Sequence, residues 1–245
     1  MHKPHVLNTR PSHQAHHLTQ LIEQRGGRVF HLPVFAIQPI IFEPINLDDF
    51  DILIFQSSNA VHAFFQRQKI KSTVAEIIAI GAATKKALNS VGFDRVLVPN
   101  SFSSEGILAM PLLQSVVEKS ILIMCGENPK SLLIDTLAAR GARTTMVHCY
   151  QRTPILHNME IIFPTVMQSN ITTIPSTSSE GFIYLMRLFE KPEQRAWILN
   201  KTLCVINEKM KMDAEKMGFT SVIQAENATD EAIAKGIFAA YDVGS

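Results

Sequence analysis

The sequence predicts an α/β protein of two similar domains, each a parallel sheet flanked by helices, joined by a two-stranded connector. Three observations predict it. The chain repeats itself: the run from Val6 to Pro39 resembles the run from Ile121 to Pro154 at a constant offset of 115, with Leu18 matching Leu133 and Arg25-Gly26 matching Arg140-Gly141. A second pair, 77–108 and 203–234, matches at an offset of 126, with Ile80 on Ile206, Gly92-Phe93 on Gly218-Phe219 and Glu105 on Glu231. A unit of roughly 100 residues is too long for a solenoid, so the repeat implies two related domains, with a ligand cleft expected between them. Second, short apolar strands alternate with amphipathic helices, the pattern of parallel sheets covered on both faces. Third, each first repeat ends in a proline-bearing extended segment, and the two segments could pair as a ladder.

Taken in order, Val6–Asn8 is a short apolar strand ending in Thr9-Arg10-Pro11, and Leu18, Leu21 and Ile22 mark one face of a helix that Gly26-Gly27 stops. Residues 29–41 read as one extended connector, limited to an edge role by Pro33 and Pro39. Strands follow at 51–55 and 77–80, the first leading through the cap residues Gln56-Ser57-Ser58-Asn59 into a helix at 60–68, the second into a helix from Gly81 to Gly92. A strand at 96–99 precedes Ser101–Gly106, which reads as a capped helix start running on into ILAMPLLQSV. The pattern repeats with a strand at 121–125, a helix stopped by Gly141, and a second connector over 144–154. The remaining strands fall at 171–175, 203–206 and 221–225. The helices after them start at Ser176–Gly181, at Asn207-Glu208 and at Thr229-Asp230.

The order of the repeats allows two continuous halves or a discontinuous arrangement. In the second, residues 1–36 join 155–245 as domain 1, 41–145 form domain 2, and 37–40 and 146–154 are the connector strands. The proline-bearing segments favour the second.

Composition narrows the function. A net charge of +1 supplies no global field for nucleic acid or an anionic membrane. No apolar stretch reaches the roughly 18 residues of a membrane span, and the first residues lack a signal peptide's apolar core. Three cysteines, Cys125, Cys149 and Cys204, have no metal spacing and read as reduced thiols of a cytoplasmic protein. His2, His5, His13, His16 and His17 read as solvated surface histidines, since no carboxylate or cysteine joins the His13/His17 pair to make a metal set.

The chain carries no G-x-S-x-G, P-loop, H-E-x-x-H or G-x-G-x-x-G. What recurs is a strand that ends in small hydroxyl or amide residues and opens a helix. The candidates are Thr9 and Arg10; Ser57, Ser58 and Asn59; Gly81 and Thr84; Ser103 and Ser104; Gly126; Ser176 and Ser178; and Asn207. In a parallel sheet such turns lie at the carboxyl edge, where ligands bind. Helix starts present unpaired N–H groups and the positive end of a dipole, so a set of them can hold a polyanion with few cations.

These residues resemble the uroporphyrinogen-III synthase family of the bacterial type over nearly the full chain. The resemblance rests on LNTRP (7–11), IFQSSNAV (54–61), AIGAATKKAL (79–88), SFSSEGIL (101–108), the connector from Arg140 to Pro154, and VINEKM (205–210), in that order and spacing. It implies two α/β domains with the discontinuous arrangement, and a cytoplasmic, usually monomeric enzyme of haem biosynthesis that uses no cofactor. It implies hydroxymethylbilane as substrate, a linear tetrapyrrole with eight carboxylates, and a transient hand-over from hydroxymethylbilane synthase. The ring closes with loss of water and inversion of ring D through a spiro intermediate. The family tyrosine of the second connector corresponds to Tyr150, implied as the acid that assists loss of the hydroxyl. A phenol holds its proton at neutral pH and can donate it. Arg10 and Lys130 are implied as carboxylate contacts. Lys130 stands where relatives often carry arginine, and lysine lacks the bidentate fork. A different class, a two-domain non-catalytic binder of a small anionic ligand, would use the same helix-end chemistry.

Overall fold

The computed structural model describes residues 3–70 and 72–242; His2, one of the histidines noted above, lies outside them. Along the chain the elements are β1 (His5–Asn8), α1 (Ser12–Gln24), β2 (Arg28–His31), β3 (Phe35–Pro39), β4 (Ile52–Phe55), α2 (Ser58–Arg67), β5 (Glu76–Ala79), α3 (Ala82–Ser90), β6 (Val96–Leu97) and α4 (Ser104–Leu108). They continue with β7 (Ser120–Gly126), α5 (Leu132–Ala139), β8 (Arg143–Pro154), α6 (Met159–Gln168), β9 (Thr173–Pro175), α7 (Ser179–Leu188), α8 (Pro192–Leu199), β10 (Thr202–Val205), α9 (Glu208–Lys216), β11 (Ser221–Gln224) and α10 (Asp230–Asp242). The chain divides into two compact units, one of residues 1–36 and 153–245, the other of residues 37–152.

The first unit holds a five-stranded sheet in the order β11-β10-β9-β1-β2, and the second a six-stranded sheet in the order β3-β8-β7-β4-β5-β6. Strands β4, β5, β6, β7 and β8 pair in parallel, as do β9, β10, β11, β1 and β2. Matched by order, β9-β10-β11 stand where β4-β5-β6 stand, and β1-β2 where β7-β8 stand. The two sheets share one topology, but the chain enters the first unit at a different strand, a circular permutation. The internal repeat in the sequence is this correspondence, since β1-α1-β2 matches β7-α5-β8 and β5-α3-β6 matches β10-α9-β11.

Burial explains the apolar runs. All four residues of β4 are buried, and so are Ile121–Cys125 of β7, because helices cover both faces of the sheet. On one face Val61 and Phe64 of α2 and Leu88 of α3 pack against Leu53, Phe55 and Ala79. On the other Ile107 of α4 and Leu133 and Leu137 of α5 pack against Ile54, Ile78 and Ile123. In the first unit α1 and α10 share one face, through Leu18, Ile22, Ile233 and Ile237. The repeated glycines end helices in left-handed conformation: Gly26 and Gly141 at φ +80° and +85°, Gly92 and Gly218 both at +100°. A side chain there would meet the steric penalty that glycine avoids.

Several expectations are corrected. The segment 29–41 is not one connector strand: β2 and β3 belong to different sheets, separated by the turn at Leu32-Pro33-Val34. The helix from Ser103 does not run on through ILAMPLLQSV. It ends at Leu108, and Pro111, which has no N–H to donate, opens a separate 3-10 turn. Helices α6 and α8 are additions to the elements expected above. The sequence does mark α8, where Pro192 takes the first helical position with Glu193 beside it, whereas α6 hides behind the internal Pro164. Of the two expected caps of α10, Thr229 Oγ1 accepts from the Ala232 N–H at 3.3 Å, but Asp230 binds Arg10 and His17 instead.

Candidate active site

In the second unit the strand order reverses between β7 and β4. The chain leaves β7 for α5 on one face and β4 for α2 on the other, so the two turns part at the carboxyl edge, the place where α/β proteins bind ligands. Gly126 ends β7 on one side of this switch point, and Ser57, Ser58 and Asn59 follow β4 on the other. Gly81 and Thr84 open α3 after the neighbouring strand, and Ser103 and Ser104 open α4 after β6. The first unit has its reversal between β1 and β9, which places Thr9 and Arg10 beside Ser176 and Ser178, with Asn207 one strand further along. The structure therefore gathers the predicted residues along two carboxyl edges, one per unit.

The helix starts are of two kinds. Ser57, Ser103, Ser178 and Asn207 are N-caps, each accepting a first-turn N–H of its own helix, from Ala60 at 3.1 Å, Gly106 at 3.1 Å, Gly181 at 3.0 Å and Met210 at 2.9 Å. Helices α1, α3 and α5 have no side-chain cap. In α1 the Gln14 N–H bonds the Pro11 carbonyl at 2.8 Å, and at all three starts no side chain competes with an external acceptor for the helix end; α1 and α5 follow the two switch-point strands. The sequence pointed to helix-start amides as a class but did not separate the capped starts from the uncapped ones. At α1 and α3 the signal was the absence of Ser, Thr, Asp or Asn at Pro11 and Gly81; α5 gave none, since Ser131 holds its N-cap position in helical conformation and makes no cap bond.

A resident carboxylate pairs with Arg10, and Lys130 acts on another only through its charge. Arg10 Nη1 is paired with Asp230, which His17 Nδ1 also approaches at 3.0 Å. Glu105 lies at the start of α4. Its own backbone N–H, the Ser103 hydroxyl and, last, the charge of Lys130 hold its carboxyl below the usual range. Thr9, Asn59, Thr84, Ser176 and Tyr150 are all buried. Alanine at Ser178 is expected to cost about 1 kcal/mol of stability and to raise KM by about 2- to 10-fold. Lost turnover in a folded variant would contradict this and give the hydroxyl a chemical role.

Tyr150 is the residue whose placement depends on irregular backbone. Strand β8 runs in register with β7 up to Cys125 opposite His148, then a bulge sets Gly126 opposite Tyr150. Bulges re-aim side chains. Here Cys149 and Tyr150, adjacent in sequence, join the same core cluster as Val147. The Tyr150 ring is 3% exposed and lies against Gly126, where a Cβ would come within 2.8 Å of Cζ. Its hydroxyl accepts from Ser57 Oγ at 3.0 Å, which sets it at the carboxyl edge of β4. The Arg152 guanidinium lies 5.6 Å from the ring centroid. The three cysteines are buried and free, and burial pushes the Cys125 thiol up to about 11 and those of Cys149 and Cys204 up to about 12, so none offers a thiolate nucleophile.

A cavity of about 510 Å³ in the first unit, lined by Val34, Ile155, His157, Tyr184, Arg187 and Gln194 among others, contains none of the predicted site residues. No helix among the described residues is long and apolar enough to cross a membrane.

The family model described as "Uroporphyrinogen-III synthase HemD" matches residues 16–235. The chain is 29% identical over 244 residues to uroporphyrinogen-III synthase of Escherichia coli (strain K12), covering 95% of this chain and 99% of that protein. It is also 29% identical, over 243 residues with the same coverage, to the synthase of Salmonella typhimurium (strain LT2). The crystal structure of the Helicobacter pylori 26695 protein, titled uroporphyrinogen-III synthetase, shares the fold with a TM-score of 0.63 at 16% identity, covering 97% of this chain and 99% of that one. A mutant uroporphyrinogen III synthase from the extremely thermophilic bacterium Thermus thermophilus gives 0.61 at 15% identity, with 98% and 99% covered. Matched by its model over nearly the whole chain, the protein belongs to the uroporphyrinogen-III synthase family.

Proposed function

We propose that this protein cyclises hydroxymethylbilane to uroporphyrinogen III. The observation that carries the reading is the family match over residues 16–235, which favours an enzyme over a non-catalytic binder of a small anion. The chemistry of the two carboxyl edges is consistent with it. The substrate's eight carboxylates need hydrogen-bond donors, and uncapped helix starts supply them without a large cationic patch. Because the linear bilane also closes unaided to the uninverted isomer, the protein's main task is to hold the conformation in which the azafulvene left by loss of the hydroxyl bonds to the substituted position of ring D. Tyr150 is proposed as the donor to the departing hydroxyl. Thr9, Ser58, Gly81, Thr84, Ser104, Gly126, Lys130, Ser176 and Asn207 are proposed to line the path of the carboxylates.

The two units are proposed to be the enzyme's two domains, working as a monomer in the cytoplasm and receiving substrate by transient hand-over from hydroxymethylbilane synthase. The test of the function is to incubate pure protein with enzymatically generated hydroxymethylbilane and separate the isomers by chromatography. The type III share is expected to rise toward completeness with added protein. A product that stays type I at every protein concentration would refute the reading.

A further inference from the structure

The sequence points to Ser57 as a substrate contact, but its hydroxyl is already engaged on both sides. Its oxygen accepts the Ala60 N–H of α2 at 3.1 Å, and it donates to Tyr150 Oη at 3.0 Å. A serine hydroxyl has one hydrogen to give, and Tyr150 takes it. The bond also fills one acceptor position of the phenol oxygen and turns the phenol's own hydrogen away from Ser57. The ring cannot adjust freely, since it is packed in the core cluster, fixed opposite Gly126 by the bulge, and touches the space a Cβ at Gly126 would fill. The one variable left is the direction of the O–H bond, and the first turn of α2 sets it through Ser57.

We infer that Ser57 is a positioning residue for the Tyr150 proton donor and not a carboxylate contact. The inference rests on the proposed role of Tyr150. It deepens that role by tying proton donation to the N-terminus of α2, which follows a strand two places from that of Tyr150 in the sheet order.

The test is a double-mutant cycle with Ser57→Gly, Ser57→Thr and Tyr150→Phe. Glycine removes the hydroxyl but remains an acceptable N-cap, less costly to the helix than alanine, so the variant stays folded. Ser57→Gly is expected to lower kcat about 3- to 10-fold with KM for hydroxymethylbilane unchanged, and Ser57→Thr to restore most of it. Ser57→Gly/Tyr150→Phe should be no slower than Tyr150→Phe alone, because the serine acts only through the phenol. A raised KM with kcat intact, or losses that multiply in the double variant, would overturn the inference and return Ser57 to the substrate contacts while leaving Tyr150 in place. A wild-type kcat for Tyr150→Phe would instead remove the tyrosine's role, and the inference would fall with it.

Discussion

Tyr150→Phe is expected to slow turnover by about 10- to 100-fold and to leave type III as the main enzymatic product. Phenylalanine keeps the ring that fills the space beside Gly126 and removes only the hydroxyl bonded to Ser57. General acid catalysis commonly contributes about 10²–10⁴-fold. The loss here should sit at or below the lower end, because the pyrrole already activates the leaving hydroxyl and water can partly replace the donor. On the proposed reading the isomer outcome follows from how the substrate is folded along the helix starts, which this substitution does not touch. Single-turnover rates and isomer ratios measured on one preparation check both halves. An unchanged rate would leave conformational control as the whole of the catalysis.

Gly126→Ala is expected to be at least as damaging. The backbone at Gly126 is not left-handed, so alanine is conformationally allowed there and the effect is one of space alone. The new Cβ would sit 2.8 Å from Tyr150 Cζ and 3.0 Å from its Oη. The ring end could yield only by moving within a core that leaves it 3% exposed. Overpacking of this kind typically costs about 1–3 kcal/mol, and here it also shifts the Tyr150 hydroxyl off Ser57. Chemical denaturation should show the stability loss, and kcat should fall to the Tyr150→Phe level or below. A folded Gly126→Ala variant with wild-type kcat would mean that the hydroxyl's position is immaterial.

How much of this was legible in the sequence depends on the range of the interaction. The duplicated glycines at 26, 92, 141 and 218 announced four helix ends because a left-handed residue is a local demand, met by local chemistry. The N-caps at Ser57, Ser103, Ser178 and Asn207 were readable for the same reason. The split of 29–41 into strands of two sheets was not, because β-propensity says nothing about which sheet a strand joins. Nor was the Arg10–Asp230 pair, whose members come together only through the packing of α1 on α10. The bulge at Cys125-Gly126 leaves no local signature either. Yet it separates a tyrosine on the His148 side from one that reaches Ser57. The residue types of the site could be read, but the partners that fix what each can do could not.

The central claim is that substrate carboxylates are held by helix-start amides along the carboxyl edges. Amide chemical shifts of ¹⁵N-labelled protein, titrated with uroporphyrinogen III under anaerobic conditions, test it most directly. The claim predicts saturable shifts in the first turns of α1, α3 and α5, which lack side-chain caps, and in the turn of α7 at Ser178–Gly181. The amino-edge residues Asp51, Lys119 and Arg143 should stay still. Shifts confined to lysine- and arginine-bearing surface away from those turns, or to the cavity around Gln194, would contradict it.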